Sequence, residues 1–181
     1  LCCGTGDIAR EVLRQYPSSK VTGLDFSEEM LNIAESKNTS EIIVEYMPGD
    51  AMNIPFHDAV FDAVTIGYGM RNVQNISKCL GEILRVLKPE GVLVSLDVGK
   101  VRIPILAELN HFYFFQIVPL VGKLLMPGEE IFQYLPESSL EYPNQEFLKN
   151  LMIETGFQKV EFHNFVFGAS AVHVAYKPAK N

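Results

Sequence analysis

The chain has 181 residues, enough for about one domain with a single substantial core. Its hydrophobic content of 48% and charged content of 20% are ordinary for a globular protein, and a net charge of −7 with no basic run argues against a nucleic-acid partner. Three cysteines, two of them adjacent, make a poor disulfide framework and miss zinc-site spacing, so a reducing cytoplasm and no metal are expected.

Leu1-Cys2-Cys3-Gly4-Thr5-Gly6-Asp7 runs from apolar residues into a turn with two glycines one residue apart, closed by an acid. Ile8, Ala9, Val12 and Leu13 then recur at helical spacing, which predicts strand end, tight turn and helix start. The opening within a predicted strand reads as a chain lacking most of its first strand and whatever precedes it, with no signal or transit segment visible. Cys2 and Cys3 read as small buried strand residues, not reactive thiols. Glycine permits positive φ and leaves no Cβ between backbone and ligand. Such a turn at the carboxyl end of a parallel strand is where open α/β sheets bind nucleotides. Two ligands compete for it. Gly4-x-Gly6-x-x-Ala9 satisfies the loose dinucleotide fingerprint, with Asp25 at the distance of a ribose-binding acid. S-adenosylmethionine (SAM) has no pyrophosphate and carries a cationic sulfonium and amino group. Asp7 at the helix start suits those cations and would repel a pyrophosphate.

Lys20 to Asp25 is predicted as a short strand ending in an acid; Ser27 caps the next helix, with Glu28 and Glu29 in its first turn. Asp25 is placed to accept hydrogen bonds from both ribose hydroxyls; a second helix cap is the alternative. Glu41 to Met47 is a third strand, closing at Pro48-Gly49-Asp50-Ala51. There Asp50 is placed to read an adenine amino group and the Ala51 amide to meet the ring nitrogens, although Asp50 alone reads equally as a turn residue. Ile54, Pro55 and Phe56 are candidates for an apolar wall to the ring. Phe61 to Ile66 is a fourth strand, running into Gly67-Tyr68-Gly69-Met70-Arg71-Asn72. A helix with Leu80, Ile83, Leu84 and Leu87 on one face stops at Lys88-Pro89-Glu90-Gly91, and Val92 to Leu96 is a fifth strand ending at Asp97. Strands alternating with helices predict a parallel, doubly wound sheet.

Ile103 to Met126 breaks the rhythm with large apolar residues, among them Phe112, Tyr113, Phe114 and Phe115, interrupted by Glu108, Asn110, Gln116 and Lys123. No uninterrupted apolar run reaches the ~18 residues of a membrane span. The segment reads either as a pair of buried helices or as a lid for an apolar, lipid-like substrate that touches a membrane surface. Pro143 then opens a helix through Thr155, and Lys159 to Phe167 and Ala171 to Tyr176 form an antiparallel hairpin. His173, on the last strand among alternating apolar residues, reads as a satisfied core histidine. With no repeats or linkers, residues 1–181 are expected to be a single domain.

Taken together, Leu1–Asp7, Gly23-Leu-Asp-Phe-Ser-Glu-Glu-Met-Leu31, Thr65-Ile-Gly-Tyr-Gly-Met-Arg-Asn-Val73, Arg85-Val-Leu-Lys-Pro-Glu-Gly91 and the tail Phe167–Lys177 resemble the ubiquinone/menaquinone biosynthesis C-methyltransferases. The glycine loop and Leu-Lys-Pro-x-Gly belong to SAM methyltransferases broadly; Gly-Met-Arg-Asn-Val and the Ala-Val-His tail are much narrower. The resemblance implies a class I SAM-dependent methyltransferase fold, a Rossmann-like, mostly parallel seven-stranded sheet with an antiparallel last strand. It implies SAM contacts at Thr5, Asp25, Asp50, Ala51 and Gly67, in the loop made by Gly4 and Gly6. Gly67 stands where some members have serine, Asp97 where glutamate is usual, Gly99 in place of serine and Glu90 in place of glycine. Phe26 and the Cys-Cys pair point to the menaquinone-type branch.

The implied reaction is C-methylation of a prenylated quinol, of demethylmenaquinol or 2-methoxy-6-polyprenylbenzoquinol type. It requires a quinol that loses a phenolic proton, whose unperturbed pKa is about 10. Arg71 is expected to hold the quinol oxygen and orient a water that takes the proton, with Asn72 helping to position the substrate; arginine is too basic to take the proton itself. The alternatives are O- or N-methylation of another apolar small molecule, or a SAM-binding subunit that scaffolds a quinone-synthesis assembly. A lipid-like quinol is the expected partner in a cytoplasmic setting. Peripheral contact at the inner face of the membrane and a homodimer are compatible with this expectation.

Overall fold

The computed structural model describes residues 1–101, 103–118, 139 and 141–180. Helix α1 (Asp7–Gln15) follows the glycine loop, with Gly6 as N-cap in the left-handed region at φ 77°. Strand β1 (Thr22–Asp25) leads to α2 (Glu28–Ser36), whose Ser27 cap accepts from Met30 N as expected. Strand β2 (Glu45–Pro48) pairs parallel to β1 in register Thr22↔Glu45 to Asp25↔Pro48. It starts four residues later than the apolar pattern predicts. The Asn38 side chain donates to Val44 O and accepts from Val44 N, so that backbone is taken by a side chain before the ladder begins.

The second sheet has four strands in the order β3 (Phe61–Gly67), β4 (Leu87–Val98), β6 (Ser170–Tyr176) and β5 (Gln158–Phe165). Strand β3 (Phe61–Gly67) runs parallel to β4 (Leu87–Val98), joined by α3 (Ile76–Val86). After β4 come α4 (Pro104–Phe112) and a π-helical turn, Tyr113–Ile117. Residues 119–126 of the expected lid lie outside the described residues. Helix α5 (Gln145–Thr155) precedes β5 (Gln158–Phe165) and β6 (Ser170–Tyr176). It begins after Pro143 because the Asn144 side chain caps it, accepting from Phe147 N. Strand β6 lies antiparallel to both neighbours, the single reversed strand expected. No helix among the described residues is long and apolar enough to cross a membrane.

Residues 1–3 lie between the two sheets: Leu1 N donates to Thr65 O (2.8 Å) and Cys3 N to Leu24 O (3.1 Å). Burial pushes the Cys2 and Cys3 thiols up to about 11, which keeps both protonated at neutral pH and fits their packing role. Beside these residues, which line it, the space between β1 and β3 opens into a cavity of about 720 Å³ lined by both strands. The core joins α3 and α5 to the second sheet through Met70, Leu80, Ile83, Leu93, Leu148 and Met152, all 0–1% exposed. Each contributes roughly 1.5–3 kcal/mol by leaving water.

Gln145 is a buried polar hub at the start of α5. Its amide nitrogen bonds Asn164 Oδ1 (2.8 Å) and Gly168 O (3.2 Å), its amide oxygen accepts from Lys100 N (3.1 Å), and its carbonyl meets His173 Nε2 at 2.9 Å. A Cβ on Gly99 would lie 2.3 Å from Gly168 O and 2.6 Å from Gln145 Nε2, so a glycine fits where the resemblance implies serine. His173 is 3% exposed, and burial pulls its pKa below the ordinary 6.5. The neutral ring donates to Gln145 O, as a satisfied core histidine should.

A histidine whose folded pKa is lowered contributes stability above its unfolded value and loses it as pH falls. Urea unfolding midpoints should therefore decline as pH drops below about 6.5, before the carboxylates titrate. His173→Gln, which keeps a neutral donor, should flatten that part of the profile; an unchanged slope would place the acid sensitivity elsewhere.

Candidate functional site

The site collects at the carboxyl ends of β1 to β4. Gly4 takes φ 52° and its N–H donates to Asp25 Oδ2 at 2.7 Å; Ser27 N donates to Asp25 Oδ1 at 3.0 Å. Both oxygens of Asp25 are thus aimed by backbone donors, and each keeps acceptor capacity for a ligand hydroxyl. Ser27, not Asp25, is the side chain that caps α2. A Cβ on Gly4 would meet nothing within 4 Å, so that face of the loop is open to a ligand. Gly6 is needed for another reason: a Cβ there would strike Tyr46 Oη at 2.1 Å. The Tyr46 ring packs beneath Gly6 and Gly23, with its hydroxyl buried.

Asp50 and Ala51 come beside Asp25, because Gly49 N donates to Asp25 O at 2.9 Å. The Asp50 carboxylate accepts from Met52 N (2.8 Å) and its carbonyl from Asn53 N (3.0 Å), closing the turn; Ala51 is 7% exposed. Gly67, at the end of β3, faces α1, where a Cβ would meet the tip of Ile8 at 2.2 Å. A Cβ on Gly69 would lie 2.3 Å from Cys2 Cβ, so the turn after β3 packs directly on the residues before the loop.

Two expectations meet surroundings that the sequence did not show. Asp7, read as suited to the cations of SAM, already has partners within the chain. Its carboxylate accepts from Thr5 Oγ1 (2.6 Å) and Arg10 (2.6 Å) and lies 3.2 Å from Lys37 Nζ. The Thr5 hydroxyl, with Lys37 after it, holds the Asp7 carboxyl below the usual range. Ile54 and Phe56 pack with the core and also line the cavity between β1 and β3: Ile54 is 6% exposed, and Phe56 stacks edge-on against Phe61 at 4.9 Å. Arg85 holds both of their carbonyls. Phe26, next to Asp25 and 85% exposed, is the aromatic left free at this edge.

Arg71 reaches the carboxyl edge, but its guanidinium is committed. Nη1 donates to Asp97 Oδ1 at 2.8 Å and the Arg71 backbone N–H to Oδ2 at 3.2 Å, with the two side chains 9% and 3% exposed. The Tyr68 ring sits 5.5 Å from the guanidinium carbon, a cation–π distance. Arg71 Nε is buried without a protein partner among the described residues. Asn72, the next residue of the same turn, is exposed. The sequence missed Lys37 and Tyr46 as parts of this site, and it gave Asp97 without Arg71 as its partner. Asp97 carried a signal that the chain order shows, as a third acid at a strand end after Asp25 and Asp50.

A model described as the ubiE/COQ5 methyltransferase family matches residues 1–177. A demethylmenaquinone methyltransferase of Leptospira interrogans is 49% identical over 185 residues, spanning 99% of this chain and 74% of that protein. One from Staphylococcus aureus is 39% identical over 182 residues, 100% of this chain and 76% of that protein. Among solved structures, a SAM-dependent methyltransferase of Thermotoga maritima superposes with a TM-score of 0.69 at 22% identity, covering 98% of this chain and 79% of its own. Phosphoethanolamine N-methyltransferase 2 of Haemonchus contortus, in complex with SAM, gives 0.68 at 18% identity, covering 98% and 47%. These last two share the class I methyltransferase fold.

The buried pair makes a prediction of its own. Asp97→Asn leaves Arg71 charged and uncompensated, and should cost about 3–5 kcal/mol in urea unfolding. Adding Arg71→Met should recover part of that loss. Equal stability of the single variant and the parent would mean the pair is not buried in solution.

Proposed function

We infer, from the premise that the chain belongs to the ubiE/COQ5 methyltransferase family, that it is a SAM-dependent C-methyltransferase of menaquinone biosynthesis acting on a prenylated quinol of demethylmenaquinol type. The observation that carries this to named residues is the cradle at the end of β1. There Gly4 and Asp25 are bonded to each other, and Gly4 keeps one face open. These residues fit SAM. Asp25 takes the ribose hydroxyls, Asp50 the adenine amino group and Ala51 N–H a ring nitrogen, while Thr5 and Gly67 border the remainder. When bound, SAM supplies an electrophilic methyl group on its sulfonium.

The residues of the chain must then make a ring carbon nucleophilic, which means favouring the phenolate of the quinol. Arg71 supports this role as a held donor. Asp97 fixes one edge of the guanidinium, and Nε keeps unused hydrogen-bonding capacity for the quinol oxygen. A water oriented there takes the phenolic proton, and exposed Asn72 borders the substrate's approach. Ile103, Ile105, Phe112 and Tyr113 are exposed apolar residues on the segment that follows β4. They support a lid for the prenyl tail and peripheral contact with the membrane from which such a substrate is drawn.

Incubation with methyl-labelled SAM and a demethylmenaquinol, followed by mass spectrometry, should locate the label on the quinone ring carbon. Label on oxygen, or none, would overturn the assignment, and preference for a benzoquinol would redirect it to the ubiquinone branch. By calorimetry, Asp25→Ala should weaken SAM by roughly 1.5–3 kcal/mol, the value of hydrogen bonds to a charged group.

Arg71→Lys keeps a cation for Asp97 and loses the planar fork. It should slow methyl transfer by about 10²-fold, the lower range for loss of a preorganised donor. SAM affinity should stay near that of the parent, and part of the rate should return at higher pH, where the quinol ionises unaided. Parental turnover in the folded variant would remove Arg71 from the chemistry.

A further inference from the structure

Lys37 caps the carboxyl end of α2 and belongs to no motif. Its ammonium nevertheless crosses 30 to 32 residues of sequence to the glycine loop. Nζ donates to Thr5 Oγ1 at 2.7 Å and Thr5 O at 3.2 Å, and lies 3.2 and 3.3 Å from the Asp7 carboxylate oxygens. An ammonium has three donors and no acceptor, so this set uses all of them on the loop. Thr5 is fixed in consequence. Its hydroxyl proton goes to Asp7 and one lone pair to Lys37, leaving one lone pair as its remaining capacity.

The backbone being held needs holding. Gly4 and Gly6, at φ 52° and 77°, flank Thr5, and glycine has the widest conformational freedom to lose. Arg10 also binds Asp7, but at i,i+3 within one helix, so it does not tie the loop to another element. Lys37 does. An exposed ion pair contributes little to stability. Lys37 with Asp7 is such a pair in part, at 35% and 65% side-chain exposure, so its effect should appear in loop order more than in global melting.

We propose that Lys37 is a positioning residue of the cofactor site, locking the loop from Gly4 to Asp7 through Thr5 and Asp7 in the shape that accepts SAM. The proposal rests on the methyltransferase assignment. Its test uses the full chain with Lys37→Met and Lys37→Arg. Hydrogen exchange of the loop amides is measured without ligand, SAM affinity by calorimetry, and steady-state kinetics with both substrates. Lys37→Met should speed loop exchange and weaken SAM about five- to tenfold, part of what a lost charged hydrogen bond removes. KM for SAM should rise by the same factor, with kcat and the quinol KM within about twofold of the parent. Lys37→Arg should restore part of both effects. Unchanged loop exchange and SAM affinity in a folded Lys37→Met chain would overturn the proposal and leave the methyltransferase assignment standing. Loss accompanied by an equal fall in global stability would overturn it as well. Failure of the unsubstituted chain to bind SAM would overturn both.

Discussion

The hydrogen bond from Gly4 N to Asp25 Oδ2 is the constraint from which the rest of the site is laid out. It joins a turn to a strand end 21 residues later. The other carboxylate oxygen holds Ser27 N, at the start of α2, and the Asp25 carbonyl holds Gly49 N, at the turn after β2. One residue therefore sets the mutual placement of the glycine loop, a helix start and the Asp50 turn. A carboxylate that accepts two backbone N–H groups is held in one orientation. Its remaining lone pairs are the part left over for a ligand. The site is built by filling most of the hydrogen-bonding capacity of each polar group and leaving a defined remainder.

The same economy appears on the far side of the sheet. Gln145 satisfies the backbone where the chain leaves β4 and where β5 and β6 join, and its own carbonyl accepts from the His173 ring in the middle of β6. It anchors the entry to the segment that follows, so residues 103–118 leave the sheet from a fixed point. Between this anchor and the Asp25 anchor lies the turn Gly67–Asn72. It is packed against Cys2 and Ile8 on one side and bonded to Asp97 on the other. Its short 3₁₀ segment buries Met70 completely, which turns Arg71 toward Asp97.

Sequence showed what is encoded locally. Glycines before an acid, the acids Asp25, Asp50 and Asp97 at or just after strand ends, the Ser27 cap and the short join of the last two strands are signals within a few residues. Each had its expected consequence in the fold. Boundaries slipped where a side chain competes for backbone, as Asn38 does at Val44. Surroundings were not legible where the deciding partner is distant in sequence. The sequence shows Asp7 without Lys37, which arrives from α2, and Ile54 and Phe56 without Arg85, which holds their carbonyls from α3. Glu90 illustrates a third case. The resemblance marked it as a departure from glycine, and the structure gives the reason for glycine: φ is 63°, where an L side chain is strained.

The pairing of Arg71 with Asp97 changes what the arginine can do. An unpaired guanidinium in so buried a place would carry a desolvation penalty that a neutral, apolar substrate does nothing to offset. Paired, the resting site is balanced in charge and suited to receive such a molecule. The cost is field strength, since Asp97 cancels much of the positive potential that would pull a phenol toward ionisation. On the proposed chemistry, stabilisation of the phenolate then depends on directed hydrogen bonds more than on net charge. Directed donors are useful only when their angles are fixed. Asp97 fixes them by holding both the backbone and the side chain of Arg71. The residue that weakens the cation is thus the one that makes it a preorganised donor, and the two effects cannot be separated by changing Asp97 alone.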